Sequence, residues 1–107
     1  MSWDISLEND RGPVVVDRHA EGGTYPLGGT TRAELNVTYN YADLFPFREL
    51  DGQRAGDTRE RMREAIAVLG TQRDQDYWTP TPGNVGHALE ILLAWADQYP
   101  EATWRVV

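Results

Sequence analysis

The sequence has no cysteine, no lysine and only two serines, Ser2 and Ser6. Without cysteine, disulfide frameworks, zinc–thiolate sites, iron–sulfur clusters and thiol catalysis are excluded. Both serines lie in the first few residues, so a Ser-His-Asp hydrolase is poorly supported. The longest apolar run, residues 91–96, is too short to span a bilayer, and the N-terminus has no apolar stretch of signal-peptide length. We therefore expect a cytoplasmic protein that makes no membrane contact.

Arginine is the basic residue throughout, and acidic residues outnumber it. Ten arginines stand against 17 aspartates and glutamates, which gives a net charge of −7. The missing lysine is typical of a GC-rich genome and also of a salt-loving host, and both interpretations stay open. Strong negative charge repels nucleic-acid backbones, so no direct nucleic-acid binding is expected. The same charge favours docking onto a basic protein surface.

The first half of the chain carries strand patterns. At 107 residues with 40% apolar content, the chain is long enough for one core, and we expect residues 1–107 to form a single α+β domain. Residues 2–8 alternate between apolar and polar side chains and predict a half-buried strand. A turn at 9–13 and the β-branched residues 14–16 complete a hairpin. Residues 33–39 predict another strand, with one face made of Leu35, Val37, Tyr39 and Tyr41.

The second half carries helix patterns. Residues 51–56 are polar and predict a linker. Asp57, with Glu60 three residues later, matches a capping box that opens a first helix, which Gly70 ends. Thr81 and Pro82 predict the cap and first residue of a second, longer helix. With residues 103–107 as a further edge strand, the fold class is α+β: a small antiparallel sheet of three to four strands packed against two amphipathic helices.

Asp17, His19 and Glu21 are the first candidate site. On an extended chain these side chains point the same way, and they would offer a divalent metal one imidazole and two carboxylates. The same set would place a histidine base beside a carboxylate. They are equally well explained as ordinary surface residues. A metal-dependent hydrolase built on them is the enzyme alternative, and it predicts that a divalent ion stabilises the fold.

Two Gly-Gly-Thr triplets form the second candidate. Backbone N–H groups in such loops can surround an anion, and each threonine hydroxyl adds a donor. Neither triplet has the spacing of a P-loop or of a dinucleotide-binding motif, and no lysine is present to meet a phosphate. A structural bend is the competing interpretation. The residues are Gly22, Gly23, Thr24, Gly28, Gly29 and Thr30.

Polar and aromatic residues in two further segments form the third and fourth candidates. Asn36 and Asn40, beside Tyr39, would line up as a row of amides that reads a polar small molecule, because amides both donate and accept. They would equally well face water. Tyr77 and Trp78 precede the second helix and would anchor a partner or cover a pocket. Packing over the start of that helix is the alternative.

The motifs in these segments resemble a group of short uncharacterised proteins of phages and prophages. The resemblance is carried by EGGTY at 21–25, GGT at 28–30 and ELNVTYNY at 34–41, followed by DYW at 76–78 and PTPGN at 80–84 ahead of a final Ala/Leu-rich helix. It implies a viral or prophage origin and residence in the cytoplasm of a host cell. It brings no established activity, so it implies no catalytic residue, metal or cofactor.

Together these observations favour a binding protein over an enzyme. We expect it to recognise a polar small molecule, such as a nucleotide, or a basic host protein. In the first case aromatic rings stack on the ligand while amides orient its polar edges. In the second, the acidic surface steers docking and Tyr77 or Trp78 is the anchor. The predicted site consists of His19, Gly22, Gly23, Thr24, Gly28, Gly29, Thr30, Asn36, Tyr39, Asn40, Tyr77, Trp78 and Asn84.

Overall fold

The sheet is built around one central strand. The computed structural model describes residues 1–16 and 32–107. Strand β1 (Ser2–Asn9) pairs antiparallel with β2 (Gly12–Pro13), β3 (Glu34–Thr38) and β4 (Thr103–Val106). Helices α1 (Ala55–Leu69) and α2 (Pro82–Gln98) lie between β3 and β4 in the chain. The α+β class, with a small antiparallel sheet and two helices, is confirmed.

One face of the sheet carries the core. Trp3, Ile5 and Leu7 alternate along β1 and are all buried, while Asp4 between them is exposed. The neighbouring strands add the buried side chains Leu35, Val37, Trp104 and Val106, and α2 adds Val85, Ala88, Leu89, Leu92, Trp95 and Ala96. Burying each large aliphatic side chain contributes about 1.5–3 kcal/mol. The alternation that predicted β1 therefore also determines which side of the sheet the helices cover.

The N-terminal hairpin is tighter than the predicted one. β2 consists of Gly12 and Pro13, with Gly12 opposite Asn9 and Pro13 opposite Glu8. Gly12 has a φ of 102°, a left-handed conformation that glycine adopts at little cost and that closes the turn early. Val14 stays attached to β1 because its N–H donates to the Leu7 carbonyl at 2.9 Å. The run 14–16 thus follows the paired strand instead of forming it.

Helix α1 begins three residues earlier than the capping box at Asp57 predicts, and the capping-box prediction is wrong. Its N-cap is Arg54, which makes no side-chain cap hydrogen bond. The Ala55 N–H donates to the Ala102 carbonyl at 2.8 Å, and the Gly56 N–H donates to the Pro100 carbonyl at 2.9 Å. Because carbonyls from a distant segment satisfy these first N–H groups, the helix starts without a capping side chain.

The predicted linker at 51–56 belongs to the folded core region. The Gly52 N–H donates to the Trp104 carbonyl, and the Trp104 N–H donates to the Gln53 carbonyl, both at 2.9 Å. The Asp51 carboxylate accepts from the Val106 N–H at 2.9 Å. Residues 51–53 therefore cover the outer edge of β4, and that edge is closed to a further strand.

The remaining helix ends agree with the sequence patterns. Gly70 ends α1 with a φ of 75°. Thr81 caps α2, its hydroxyl oxygen accepting from the Asn84 N–H at 3.1 Å, and Pro82 occupies the first turn. Residues 70–72 then cross the start of α2 so closely that a Cβ at Gly83 or Gly86 would overlap the carbonyl of Gln72 or Gly70. This crossing fixes the loop between the two helices.

Candidate functional site

A 3₁₀ turn (Tyr39–Tyr41) follows β3 and redirects the chain. The Thr38 hydroxyl oxygen accepts from the Asn40 N–H at 3.2 Å and caps the turn. Tyr39 points outward with 40% of its surface exposed, whereas Tyr41 points inward and is 1% exposed. The prediction that both tyrosines share the apolar face of a strand is wrong, because the strand ends at Thr38 and its two-residue period ends with it.

Tyr41 fastens the loop that precedes α2. Its hydroxyl donates to the main-chain carbonyl of Tyr77 from a buried position. Burial disfavours the phenolate and raises the pKa of Tyr41 to about 12, and the Tyr77 phenol adds to the rise. Next to this bond, the Asn40 side-chain amide donates to the Trp78 carbonyl at 2.8 Å. The turn after β3 and residues 77–78 therefore form one unit.

Asn84, in the first turn of α2, also holds this loop. Its side chain is buried and uses both ends of its amide. The oxygen accepts from the Asp74 N–H at 2.8 Å, and the nitrogen donates to the carbonyls of Thr79 at 2.9 Å and Asp76 at 3.1 Å. These bonds replace three that the loop would otherwise make with water. Asn84 thus shapes the loop that presents Tyr77 and Trp78.

Two aromatic side chains are left on the surface by this arrangement. The Trp78 ring is 52% exposed and packs edge-on against Tyr77, with ring centroids 5.2 Å apart and planes at 77°. Tyr39 lies against the buried Trp3, with centroids 4.8 Å apart. We call Tyr39, Tyr77 and Trp78 the aromatic surface. Asn40 and Tyr41 hold the main-chain carbonyls of Trp78 and Tyr77, and the Tyr39 N–H donates to the Met1 carbonyl at 3.2 Å.

The structure separates Asn36 from this group. It lies in β3 on the polar face of the sheet, opposite Asp4. Its amide nitrogen donates to the Ser2 hydroxyl at 2.7 Å and to the Asp4 carboxylate at 2.8 Å. Because the chain turns at Tyr39, Asn36 and Asn40 do not form a continuous row. The side-chain amides of Asn36 and Asn40, which were predicted to orient a small molecule, both make hydrogen bonds within the chain.

Several predicted site residues lie outside the described part of the chain. They are Asp17, His19 and Glu21 of the metal hypothesis and the two triplets Gly22, Gly23, Thr24 and Gly28, Gly29, Thr30. Within residues 1–16 and 32–107, no three histidine, aspartate or glutamate side chains converge in a metal-binding arrangement. No helix in these ranges is both long and apolar enough to cross a membrane.

Acidic side chains surround the aromatic surface. Asp43, Asp74 and Asp76 are exposed in the two segments that build it. The ion pairs formed within the described residues involve other acids, namely Glu8, Glu49, Asp97 and Glu101. Asp43, Asp74 and Asp76 outnumber Arg73, the exposed base of the same loop, so these segments carry a surplus of negative charge that acts on an approaching molecule.

The sequence patterns missed two features of this region. Leu44 is 38% exposed, whereas the neighbouring Phe45 and the nearby Phe47 are buried. Val68 is 86% exposed near the end of α1. Its position outside the stripe of Met62, Ala65, Ile66 and Leu69 is the signal that would have identified it, since that i, i+3, i+4, i+7 spacing marks the buried face of the helix.

Comparison of the chain with protein families, with characterised proteins and with solved structures gave no match. The geometry and the charge of the aromatic surface are therefore the features that bear on function.

Proposed function

We propose that this chain is a small binding protein that recognises a basic protein surface, with Trp78 as its anchor. In the phage or prophage setting that the sequence motifs imply, the partner is a protein of the host cell. The observation that carries the proposal is the half-exposed Trp78 ring, held in place by its own backbone contact and by its neighbour. Each of these features matches what an interface anchor requires.

A fixed, exposed tryptophan is suited to binding for an entropic reason. Association costs free energy for every side chain that must be immobilised. The Trp78 carbonyl is already bonded to Asn40, and its ring already packs on Tyr77. Little ordering remains to be done when a partner covers the ring. Tryptophan and tyrosine are also the residue types that most often carry the binding energy of an interface.

The charge of the chain supports a basic partner. The net charge is −7, and Asp43, Asp74 and Asp76 lie on the segments that form the aromatic surface. Electrostatic attraction raises the rate at which a basic surface meets an acidic one, and it suppresses docking of acidic proteins. A basic protein with a pocket for one aromatic ring is therefore the partner that fits.

The small-molecule alternative is less well supported within the described residues. Asn36 and Asn84 would have to orient the ligand, yet the amides of both are hydrogen-bonded inside the chain. A ligand that used these groups would first have to break bonds that hold the sheet surface and the loop. Binding to an exposed ring requires no such rearrangement.

The proposal is tested by capture of host proteins on immobilised wild type and on Trp78→Ala. The control is Val15→Ala, another exposed apolar residue, whose carbonyl is bonded to the Tyr99 hydroxyl beyond the opposite end of α2. We expect a basic protein that wild type and Val15→Ala retain, that Trp78→Ala loses and that high salt elutes. Equal retention by Trp78→Ala, or an acidic captured protein, would contradict the proposal.

A thermal-shift screen against nucleotides, sugars and divalent metals separates the alternatives. A ligand at a hundred times its dissociation constant adds about 2.7 kcal/mol, and each kcal/mol moves the melting temperature of a domain of this size by about 4–8 °C. We expect no shift. A shift with a nucleotide that Tyr39→Ala abolishes would favour the small-molecule alternative. A shift with a metal that His19→Ala abolishes would favour the hydrolase.

A further inference from the structure

A shallow apolar groove lies between residues 44–46 and the second half of α1. Its volume is about 350 Å³. Phe45, which is buried, contributes to it together with the half-buried Ala65 and Leu69. Leu44 and Val68 contribute the exposed apolar side chains. The groove thus has both a packed apolar base and apolar residues that reach into solvent.

The stability of the fold does not explain these exposed residues. Val68 is 86% exposed on a helix, where a β-branched residue is a weaker helix former than glutamate or arginine. Single exposed apolar residues are ordinary. Here, however, Leu44 and Val68 line the same concavity, and the Leu44 N–H donates to the Tyr41 carbonyl at 3.0 Å. Exposed apolar side chains that line one apolar concavity indicate an interaction site.

The charge around the groove favours a basic molecule as its ligand. Arg61 lines it, but the Arg61 guanidinium is engaged by Glu49 at 3.0 Å and lies over the Phe45 ring, 5.4 Å from the centroid. Glu64, also in the lining, and Asp43, next to Leu44, are exposed acids outside the ion pairs of the described residues. A second copy of this chain would bring its own charge of −7 towards them. A basic occupant would not be repelled.

We propose that this groove binds one amphipathic helix of the basic partner. Apolar side chains spaced i, i+3, i+4 and i+7 on that helix enter between Leu44 and Val68, and its flanking arginines or lysines reach Asp43 and Glu64. A helix fits because one wall of the groove is itself a helix, α1, whose side chains form ridges against which another helix packs. The inference rests on the proposed function and adds the structural form of the partner segment.

The probe is a synthetic helix-forming peptide of about 20 residues, with leucine on one face and arginine and lysine elsewhere. A peptide of the same composition, scrambled so that it has no apolar face, is the reference. Binding is measured by calorimetry, and the contact residues are mapped by NMR on the full chain. We expect the amphipathic peptide to bind at least about tenfold more tightly than the scrambled one. The shifted resonances should centre on Leu44, Ala65 and Val68.

Two matched variants separate the groove from simple charge effects. Val68→Glu places a carboxylate in the groove, and Ala67→Glu places the same charge on the neighbouring exposed residue of α1, outside the groove lining. We expect Val68→Glu to weaken peptide binding at least about tenfold and Ala67→Glu to leave it nearly unchanged. Equal effects of the two variants, or equal binding of both peptides, would overturn the groove assignment.

Failure of this inference is distinguishable from failure of the proposed function. If the peptide does not bind, or if Trp78→Ala abolishes its binding while Val68→Glu does not, the groove assignment is wrong and the capture experiment on Trp78 is unaffected. Sedimentation of the protein without peptide tests whether the chain self-associates. Self-association that Val68→Glu abolishes would make the occupant a second copy of the chain and would overturn the proposal.

Discussion

The hydroxyl of Tyr41 donates a hydrogen bond to the main-chain carbonyl of Tyr77, 36 positions further along the chain. This bond joins the turn after β3 to the loop before α2. The adjacent bond from Asn40 to the Trp78 carbonyl strengthens the same junction. The aromatic surface therefore exists only when both segments are in place, so its integrity is coupled to the stability of this junction.

Tyr41→Phe should destabilise the protein because it removes the buried hydrogen bond from Tyr41 to the Tyr77 carbonyl. We expect a loss of about 1–3 kcal/mol in the free energy of unfolding, measured by urea denaturation. Tyr39→Phe is the matched control, since Tyr39 is 40% exposed and retains its ring contact with Trp3. Similar losses for the two variants would show that the Tyr41 bond contributes little.

Stability should fall at high pH because of the same residue. The pKa of Tyr41 is raised in the folded state to about 12 from the ordinary value of 10.0. The folded protein therefore holds this proton more tightly, and the associated stability is complete below pH 10 and is lost between pH 10 and 12. Its size is about 2–3 kcal/mol. No lysine titration overlaps this range, since the chain has no lysine.

The measurement is the free energy of unfolding from pH 8 to pH 12 for wild type and Tyr41→Phe. We expect the wild-type curve to fall more steeply above pH 10, so that the two curves converge. Parallel curves would show that burial does not shift the ionisation of Tyr41.

Gly86→Ala should be strongly destabilising despite the better helix propensity of alanine. A Cβ at this position would overlap the Gly70 carbonyl, where the chain leaving α1 crosses α2. Because the obstacle is backbone, relief requires the crossing to move, and we expect a loss of about 2–3 kcal/mol. The comparison is Gly52→Ala, whose Cβ would meet no atom within 4 Å but whose φ is 81°.

Gly52→Ala is expected to lose about 1 kcal/mol, which reflects backbone conformation alone. Thermal and urea unfolding of the two variants supply the test. If Gly86→Ala is as stable as wild type, the two segments are further apart than the structure places them.

Asn84→Asp should release the loop that presents Trp78. The substitution keeps the acceptor for the Asp74 N–H but replaces the nitrogen that donates to the carbonyls of Asp76 and Thr79. A buried carboxylate facing two carbonyl oxygens is unfavourable, and we expect a loss of about 2–3 kcal/mol. The Trp78 ring should also become more exposed to solvent, because the loop loses its support. This change is measured by tryptophan fluorescence.

Thr81→Ala is the control for Asn84→Asp, since it removes only the N-cap bond of α2. It should cost about 1 kcal/mol and leave the exposure of Trp78 unchanged. A similar fluorescence change in both variants would mean that the helix start, and not the Asn84 amide, holds the loop.

Several elements of the fold follow from local sequence patterns alone. Alternation in residues 2–8 predicts β1 and its buried face, because successive side chains of a strand point to opposite sides. Gly70 predicts the end of α1, since glycine adopts a left-handed φ without strain. Thr81 and Pro82 predict the start of α2 through a cap and a fixed φ. Each of these signals lies within a few residues of the feature that it specifies.

Other features depend on contacts between segments that no local pattern specifies. Helix α1 starts at Ala55 because carbonyls of Pro100 and Ala102 accept its first N–H groups, and no neighbouring residue encodes that. Strand β3 ends at Thr38, and the chain turns over Tyr39–Tyr41. Tyr39 is therefore exposed, while the Tyr41 hydroxyl reaches the Tyr77 carbonyl. Asn84 has a side-chain amide of the kind that contacts ligands, but this amide is hydrogen-bonded to the main chain of the loop. Hydrogen bonds between residues far apart in sequence settle these questions, and local patterns carry no record of them.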